Sequence, residues 1–97
     1  MFNLNDFPVA HNSEERRFEM NVKGELAVIT YRLLPGVISL DHTGVPVPIE
    51  GHGVAAKLTR AALDFARAES LRVVPVCSYV AAFVRKHSEY QDLVSAG

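Results

Sequence analysis

The residues best suited to chemistry in this chain are one glycine-bearing stretch of backbone and a few isolated polar side chains. Glu50-Gly51-His52-Gly53-Val54-Ala55-Ala56 reads as a turn running straight into an amphipathic helix. Such a junction aims unpaired N–H groups and the positive end of a helix dipole at one spot, which suits an anion and phosphate above all. A plain chain reversal is the competing reading of a Gly-x-Gly before a helix. A Walker loop is excluded, because no Gly-Lys-Ser/Thr follows, and a dinucleotide fingerprint would need its third glycine at Ala56. Cys77 stands where a strand gives way to a helix, so a helix dipole can lower its thiol pKa. A lone cysteine also packs well as a small hydrophobe. Arg85 and Lys86 sit together near the end of a second helix, able to meet an anion or simply to complement the dipole there. His11, His42, His52 and His87 show no ligand spacing, and one cysteine cannot build a zinc site, so no metal is expected.

The elements that must position these groups emerge from the hydrophobic pattern. From Glu15, Phe18, Met20 and Val22 alternate with Arg17, Glu19 and Asn21, the period of a half-buried strand. Lys23-Gly24 reverses the chain, and Glu25 to about Leu33 forms a second strand rich in Val, Ile, Thr and Tyr. Leu34-Pro35-Gly36 is the next turn, and Val37–His42 a third strand. Connections this short make the three an antiparallel meander. The stretch from Thr43 to Gly53 is a shaped loop, with two prolines and three glycines. The helix after it is expected to bury Val54, Leu58, Ala61, Ala62 and Phe65. It should turn Lys57, Arg60, Asp64, Arg67 and Glu69 to solvent, with Arg60 and Asp64 spaced to pair. Ser70 ends it. Arg72–Val76 then reads as a central parallel strand, apolar on both faces, in which Pro75 must cost a rung of pairing. Strand, helix and strand make a right-handed βαβ crossover. Cys77-Ser78 leads into a short helix with Val80, Phe83, Val84 and His87 on one face, and the tail adds one helical turn before fraying. The first dozen residues form an irregular arm over a sheet edge, in which Phe2, Leu4 and Phe7 are candidates to pack.

Bulk composition narrows the function. The 97 residues, 48% of them hydrophobic, suffice for one modest core, so residues 1–97 read as a single domain. A formal net charge of -1 leaves no excess of Lys and Arg to neutralise a duplex, and no nucleic-acid partner is expected. One cysteine excludes an intrachain disulfide and suits a reducing compartment. No apolar run is long enough to span a membrane, and Met1 to Asp6 lacks the basic start and apolar centre of a signal peptide. The expectation is a soluble cytoplasmic protein.

Taken in order, these blocks resemble the GNAT superfamily of acetyl-CoA-dependent N-acetyltransferases. Glu50-x-x-Gly53-x-Ala55 is similar to that superfamily's pyrophosphate motif, with Glu50 in a place more often held by Gln or Arg. The resemblance tightens to the minimal, single-domain GNAT-like subgroup of about one hundred residues. It is carried by His42-Thr43, Val45-Pro46, Glu50-Gly51-x-Gly53, Ala61-Ala62-Leu63-Asp64-x-Ala66, Val74-Pro75-x-Cys77, Tyr79-Val80-Ala81-Ala82-Phe83 and His87-x-Glu89-Tyr90. It spans roughly Val37 to Val94. Gly44 departs from it, standing where the subgroup tends to have an acid, and Ser78 and Ser88 stand where proline is frequent.

The resemblance implies an α+β, GNAT-like fold: an antiparallel three-strand meander, a βαβ unit and a short C-terminal helix. It implies acetyl-CoA or coenzyme A as cofactor, with the backbone of Gly51, His52, Gly53, Val54, Ala55 and Ala56 on the pyrophosphate. His42, Thr43 and Val45 would run beside the pantetheine arm, Cys77 near the thioester, and Arg85 and Lys86 near the adenosine phosphate. The strands Val37–His42 and Arg72–Val76 would splay to admit the cofactor. The implied activity is acetyl transfer to an amine or protein acceptor. Cys77, Tyr79 and His42 are its catalytic candidates, Tyr79 or Tyr90 as acid for the leaving thiolate and His42 as base. The tight Lys23-Gly24 turn leaves no room for the helices that build the acceptor pocket in larger relatives, so the acceptor meets an open surface or a homodimer completes the pocket. A non-catalytic coenzyme-binding module acting through a protein partner is the alternative. A redox-sensing thiol, resting on Cys77 alone, is the third reading.

Overall fold

The computed structural model describes residues 3–94. Its centre is a five-stranded sheet in the order β1-β2-β3-β4-β5, with β1 Ala10–Asn12, β2 Arg17–Val22, β3 Glu25–Leu34, β4 Val37–Gly44 and β5 Arg72–Pro75. The first four strands run antiparallel, and β5 joins β4 in parallel through the crossover made by helix α1, Val54–Ala68. Helix α2, Ser78–Lys86, and a 3₁₀ helix at Ser88–Leu93 complete the chain. This is the α+β, GNAT-like architecture expected, with one strand more. No helix among the described residues is long and apolar enough to cross a membrane.

The alternation read in the sequence sets the two faces of the sheet. Phe18, Met20, Val22, Ala27, Ile29, Tyr31, Ile38 and Leu40 are all buried on the helix side. Against them α1 buries Val54, Leu58, Thr59, Ala62, Leu63 and Ala66, and α2 buries Val80, Phe83 and Val84. Thr59 is tolerated there because its hydroxyl donates to Ala55 O, 2.8 Å away. The chain leaves α1 at Ser70, as expected: Ser70 takes a left-handed φ of 56°, and Leu71 N donates to Ala66 O at 2.8 Å.

Several expectations change in the packed molecule. β5 is the last strand of the sheet rather than a central one. It pairs with β4 on one side and, among the described residues, makes a single further bridge, Val73 to Val94. Only Val73 is fully enclosed, and Val74 and Val76 are exposed. The apolar residues of β5 are compatible with either place, because a partner strand, not composition, makes a strand central. Ala61 and Phe65 are half-buried, and the deeper positions are Leu63 and Ala66. Arg60 and Asp64 do not pair with each other. Arg60 is bonded to Glu89, and Asp64 accepts from the Tyr90 hydroxyl at 2.9 Å, because the 3₁₀ helix lies across both. Lys57, expected in solvent, is half-buried under the arm.

The arm itself is ordered. Its Ala10–Asn12 segment pairs with β2, so it does cover a sheet edge, as a strand. Leu4 and Phe7 pack against the core, and Phe2 lies outside the described residues, as does Met1. His11 stacks on Phe18 with centroids 4.3 Å apart, meets Phe65 edge-on, and shares a 2.6 Å hydrogen bond with the Tyr31 hydroxyl. At the other end the expected helical turn is present at Ser88–Leu93 and is tied down: Arg67 makes a bidentate pair with Asp92, and Arg72 donates to Asp92 O and Val94 O, while the fraying expected after it lies outside the described residues.

Candidate functional site

The site begins where β4 and β5 part. Their parallel ladder runs from Val37–Arg72 to Leu40–Pro75 and stops there. There the chain of β5 bends, and Val76 N, next in line to donate toward β4, turns back to Val74 O at 3.0 Å. Cys77 N makes one last bond, to Leu40 O at 2.9 Å, before the chain turns into α2, while β4 goes on to Gly44. The stretch Asp41–Gly44 is therefore bonded to β3 on one side and presents an open backbone edge on the other.

A bulge decides which side chains face the gap. Thr30 pairs with His42 but Tyr31 pairs with Leu40, leaving Asp41 as an extra residue in β4. Directly opposed residues share a face. Thr43, opposite buried Ile29, therefore points to the helix side, and His42, opposite Thr30, points to the other. Thr43 Oγ1 lies 3.5 Å from Cys77 Sγ across the gap. Burial pushes the Cys77 thiol pKa up, but the Thr43 hydroxyl and the backbone N–H groups of Val80, Tyr79 and Thr43 favour the thiolate and carry it below the ordinary value. The His42 ring lies over Gly44, where an added Cβ would meet Nε2 at 3.3 Å. Around it on the outer face Arg32, Ser39 and Asp41 are joined by hydrogen bonds, and the Arg32 guanidinium holds the Asp41 carboxyl below the usual range.

The glycine turn lies alongside. Gly51 and Gly53 take φ of 81° and 85°, a region that side chains other than Asn and Asp rarely enter. Gly53 is the N-cap of α1, so no side chain caps the helix, and its first turn carries no acid. Lys57 N is the first to find an intrahelical acceptor, Gly53 O. The N–H groups of Val54, Ala55 and Ala56 thus begin the helix without an acceptor in it. Those three residues, with Val45, Ile49, Glu50, Gly51, Gly53 and Tyr79, line a cleft of about 300 Å³. A second cleft, of about 320 Å³, opens between α1 and α2 and is lined by Arg60, Tyr79, Phe83, Lys86 and His87 among others. The two share Ala56 and Tyr79 and so adjoin, a trough that runs from Val45 along the start of α1 to Lys86 and His87 on α2.

The structure thus brings Val45, Gly51, Gly53, Val54, Ala55, Ala56, Tyr79 and Lys86 to one trough. It sets Thr43 and Cys77 at the mouth of the gap. Burial raises the Tyr79 pKa, which keeps its phenol protonated. His52 is exposed at the tip of the turn, and Arg85 is exposed outside both clefts. Tyr90 lies deep under Asp64, away from the gap. Sequence reasoning missed Arg60. Its guanidinium sits 5.3 Å from the Phe83 centroid and 5.9 Å from that of Tyr90, within reach of the second cleft. The spacing held the clue, since Arg60 lies one helical turn beyond Ala56 on the same face. His87, a packing residue by its spacing, does stack on Phe83 at 3.9 Å while lining the cleft.

A parallel strand pair that parts beside an uncapped helix start, on a sheet with a leading antiparallel meander, defines the GNAT class of α+β domain. Comparison with known proteins agrees. Residues 17–93 match the model of the GCN5-related N-acetyl-transferase family, and the chain belongs to that family. It is 35% identical to Protein NATD1 of Bos taurus over 82 residues, covering 81% of this chain and 73% of that one. Protein NATD1 of Danio rerio is 31% identical over 91 residues, covering 89% and 83%. The NMR solution structure of a GCN5-like protein from Staphylococcus aureus superposes with a TM-score of 0.73 at 33% identity, covering 98% of this chain and 91% of that one. The fold family generally uses acetyl-CoA.

Proposed function

We propose that the protein binds acetyl-CoA in the trough and transfers the acetyl group to an amine acceptor. The observation that carries this reading is the uncapped start of α1 in the wall of a cleft that adjoins the α1–α2 cleft, with Val45, directly after the open strand edge Asp41–Gly44, lining it too. The donors match the coenzyme in order. The N–H groups of Gly53 to Ala56 suit a diphosphate, the open edge of Asp41–Gly44 suits the amides of a pantetheine arm, and Lys86 with Arg60 suits the adenosine phosphate.

When bound, the coenzyme supplies the acetyl group as a thioester, a carbonyl open to attack by an amine. The chain's own residues then have distinct tasks. The backbone of β4 beyond the bulge fixes the thioester end and offers N–H groups to developing negative charge. His42, on the outer face beside the gap, accepts the proton of the incoming ammonium. Tyr79, kept protonated by burial, returns a proton to the departing sulfur, and Cys77 lines the gap with Thr43. A second reading, a coenzyme-binding module that acts through a protein partner, is favoured by the outer face around His42. Its charged groups are already paired with one another.

One experiment separates the two readings. The protein is mixed with acetyl-CoA and a panel of amines, peptides and polyamines, and release of the coenzyme's free thiol is monitored. Turnover with any acceptor supports transfer, and tight binding without release across the panel supports the module. Failure of both acetyl-CoA and CoA to raise the melting temperature would sink the site assignment itself.

A further inference from the structure

The anion-binding turn is braced from a segment that lies before the family-matched residues 17–93. The arm folds a 3₁₀ turn at Leu4–Asp6, capped by Asn3. The Lys57 ammonium donates to Leu4 O at 2.6 Å and to Phe7 O at 2.8 Å, closing the carbonyl end of that turn. The same Lys57 donates its backbone N–H to Gly53 O, and the tip of Leu4 lies 3.3 Å from the point a Cβ on Gly53 would occupy. One lysine and one leucine therefore tie the arm to the glycine that starts α1. A lysine one turn into such a helix would ordinarily extend toward an anion at the helix start. Here it is half-buried, and its ammonium is engaged by two carbonyls.

We propose that Lys57 and Leu4 are positioning residues, through which the docked arm holds the Gly51–Ala56 turn in its ligand-ready shape. The inference rests on the coenzyme reading of that turn. Coenzyme affinity then depends on whether the arm is docked, although no arm residue contacts the ligand.

The test is a cycle on the full chain, with CoA binding by calorimetry and, where an acceptor is known, KM and kcat. Lys57→Met removes the ammonium and keeps the stem, and Leu4→Ala with Phe7→Ala loosens the arm while leaving Lys57 in place. Each is expected to weaken CoA binding roughly tenfold, about the worth of one charge-assisted hydrogen bond. KM should rise with kcat unchanged, and Lys57→Arg should restore part of the loss. All three substitutions together should be no worse than either set, because both break the same link. If loosening the arm leaves affinity intact or tightens it while Lys57→Met loses it, Lys57 is a direct ligand contact and the proposal is overturned. Unchanged affinity in both overturns it as well. Should the unmodified protein bind no CoA, the coenzyme reading falls. The brace is then judged by amide hydrogen exchange at Gly51–Ala56, which must quicken in Lys57→Met and in Leu4→Ala for it to stand.

Discussion

Replacing Gly53 by alanine is the sharpest single test of the turn. At φ 85° an L-residue pays for a left-handed backbone, about 1–2 kcal/mol. The new Cβ also meets Leu4 Cδ1 at 3.3 Å, a contact the flexible leucine tip relieves by moving a few tenths of an ångström. Gly51→Ala carries the same backbone cost at φ 81° but enters open space, so it isolates the conformational part. Both variants should lower the midpoint of urea unfolding by about 1 M, taking m near 1–2 kcal/mol/M for a chain of this size. Gly53→Ala should fall slightly further. Gly53→Asn, a residue that tolerates the left-handed region and favours N-cap positions, should recover most of the loss. Equilibrium urea melts read by circular dichroism give the stabilities, and CoA titration of the same samples gives affinity. A Gly53→Ala protein that unfolds at the wild-type midpoint would refute the reasoning, since the turn would then not need its left-handed glycine.

Further predictions concern the site and its surroundings. The rate of Cys77 alkylation by iodoacetamide should rise through a midpoint below the ordinary thiol pKa of about 8.5, and Thr43→Val should move that midpoint up. An unchanged midpoint would mean that the hydroxyl does not hold the thiolate. Lys86→Ala and Arg60→Ala should each weaken CoA more than dephospho-CoA, measured by competition binding, and equal losses would remove them from the adenosine phosphate. Asp41 has a lowered folded pKa, so its pairing with Arg32 stabilises the protein above the unfolded value of about 3.9 and is lost as pH falls through the folded one. Asp41→Asn should therefore flatten the acid limb of the melting temperature against pH, and an unaltered limb would refute the linkage.

The sequence was most legible where one local rule sufficed. Alternation from Phe18 to Val22 and a Lys23-Gly24 reversal specify a hairpin without reference to anything distant, and the i, i+4, i+8 spacing of Val54, Leu58 and Ala62 specifies a buried stripe. The motif blocks singled out the glycine turn that starts α1, and Thr43 and Cys77 separately, while the 3.5 Å approach of those two across the gap is visible only in the fold. Legibility ended where a residue's partner was remote in the chain. Lys57 looks like a solvent lysine until Leu4 and Phe7, fifty residues earlier, offer it carbonyls. Arg60 looks like half of an (i, i+4) pair until Glu89 and Tyr90 arrive from the tail. Strand order is of the same kind. β5 lies at the sheet's end, flanked among the described residues by the Val73–Val94 bridge, and its own apolar residues carry no sign of that.

The bulge at Asp41 is the clearest case of structure deciding chemistry that pattern alone would reverse. Ile38 and Leu40 face the helices, so strict alternation would send His42 inward with them and Thr43 outward. The imidazole would then meet Cys77, and the outer face would carry only a hydroxyl. One unpaired residue shifts the phase: Thr43 turns to the thiol and His42 to the open face. On the proposed reading this separates the two halves of the reaction across one strand, the coenzyme on the helix side and the proton acceptor for the amine on the other. It also makes sense of Gly44. With His42 turned outward, its ring lies over residue 44, and a Cβ there would meet Nε2 at 3.3 Å, so the imidazole must shift by a few tenths of an ångström to admit a side chain. On the proposed reading, a glycine at position 44 leaves the imidazole where it stands, and the proton acceptor of this loop is His42.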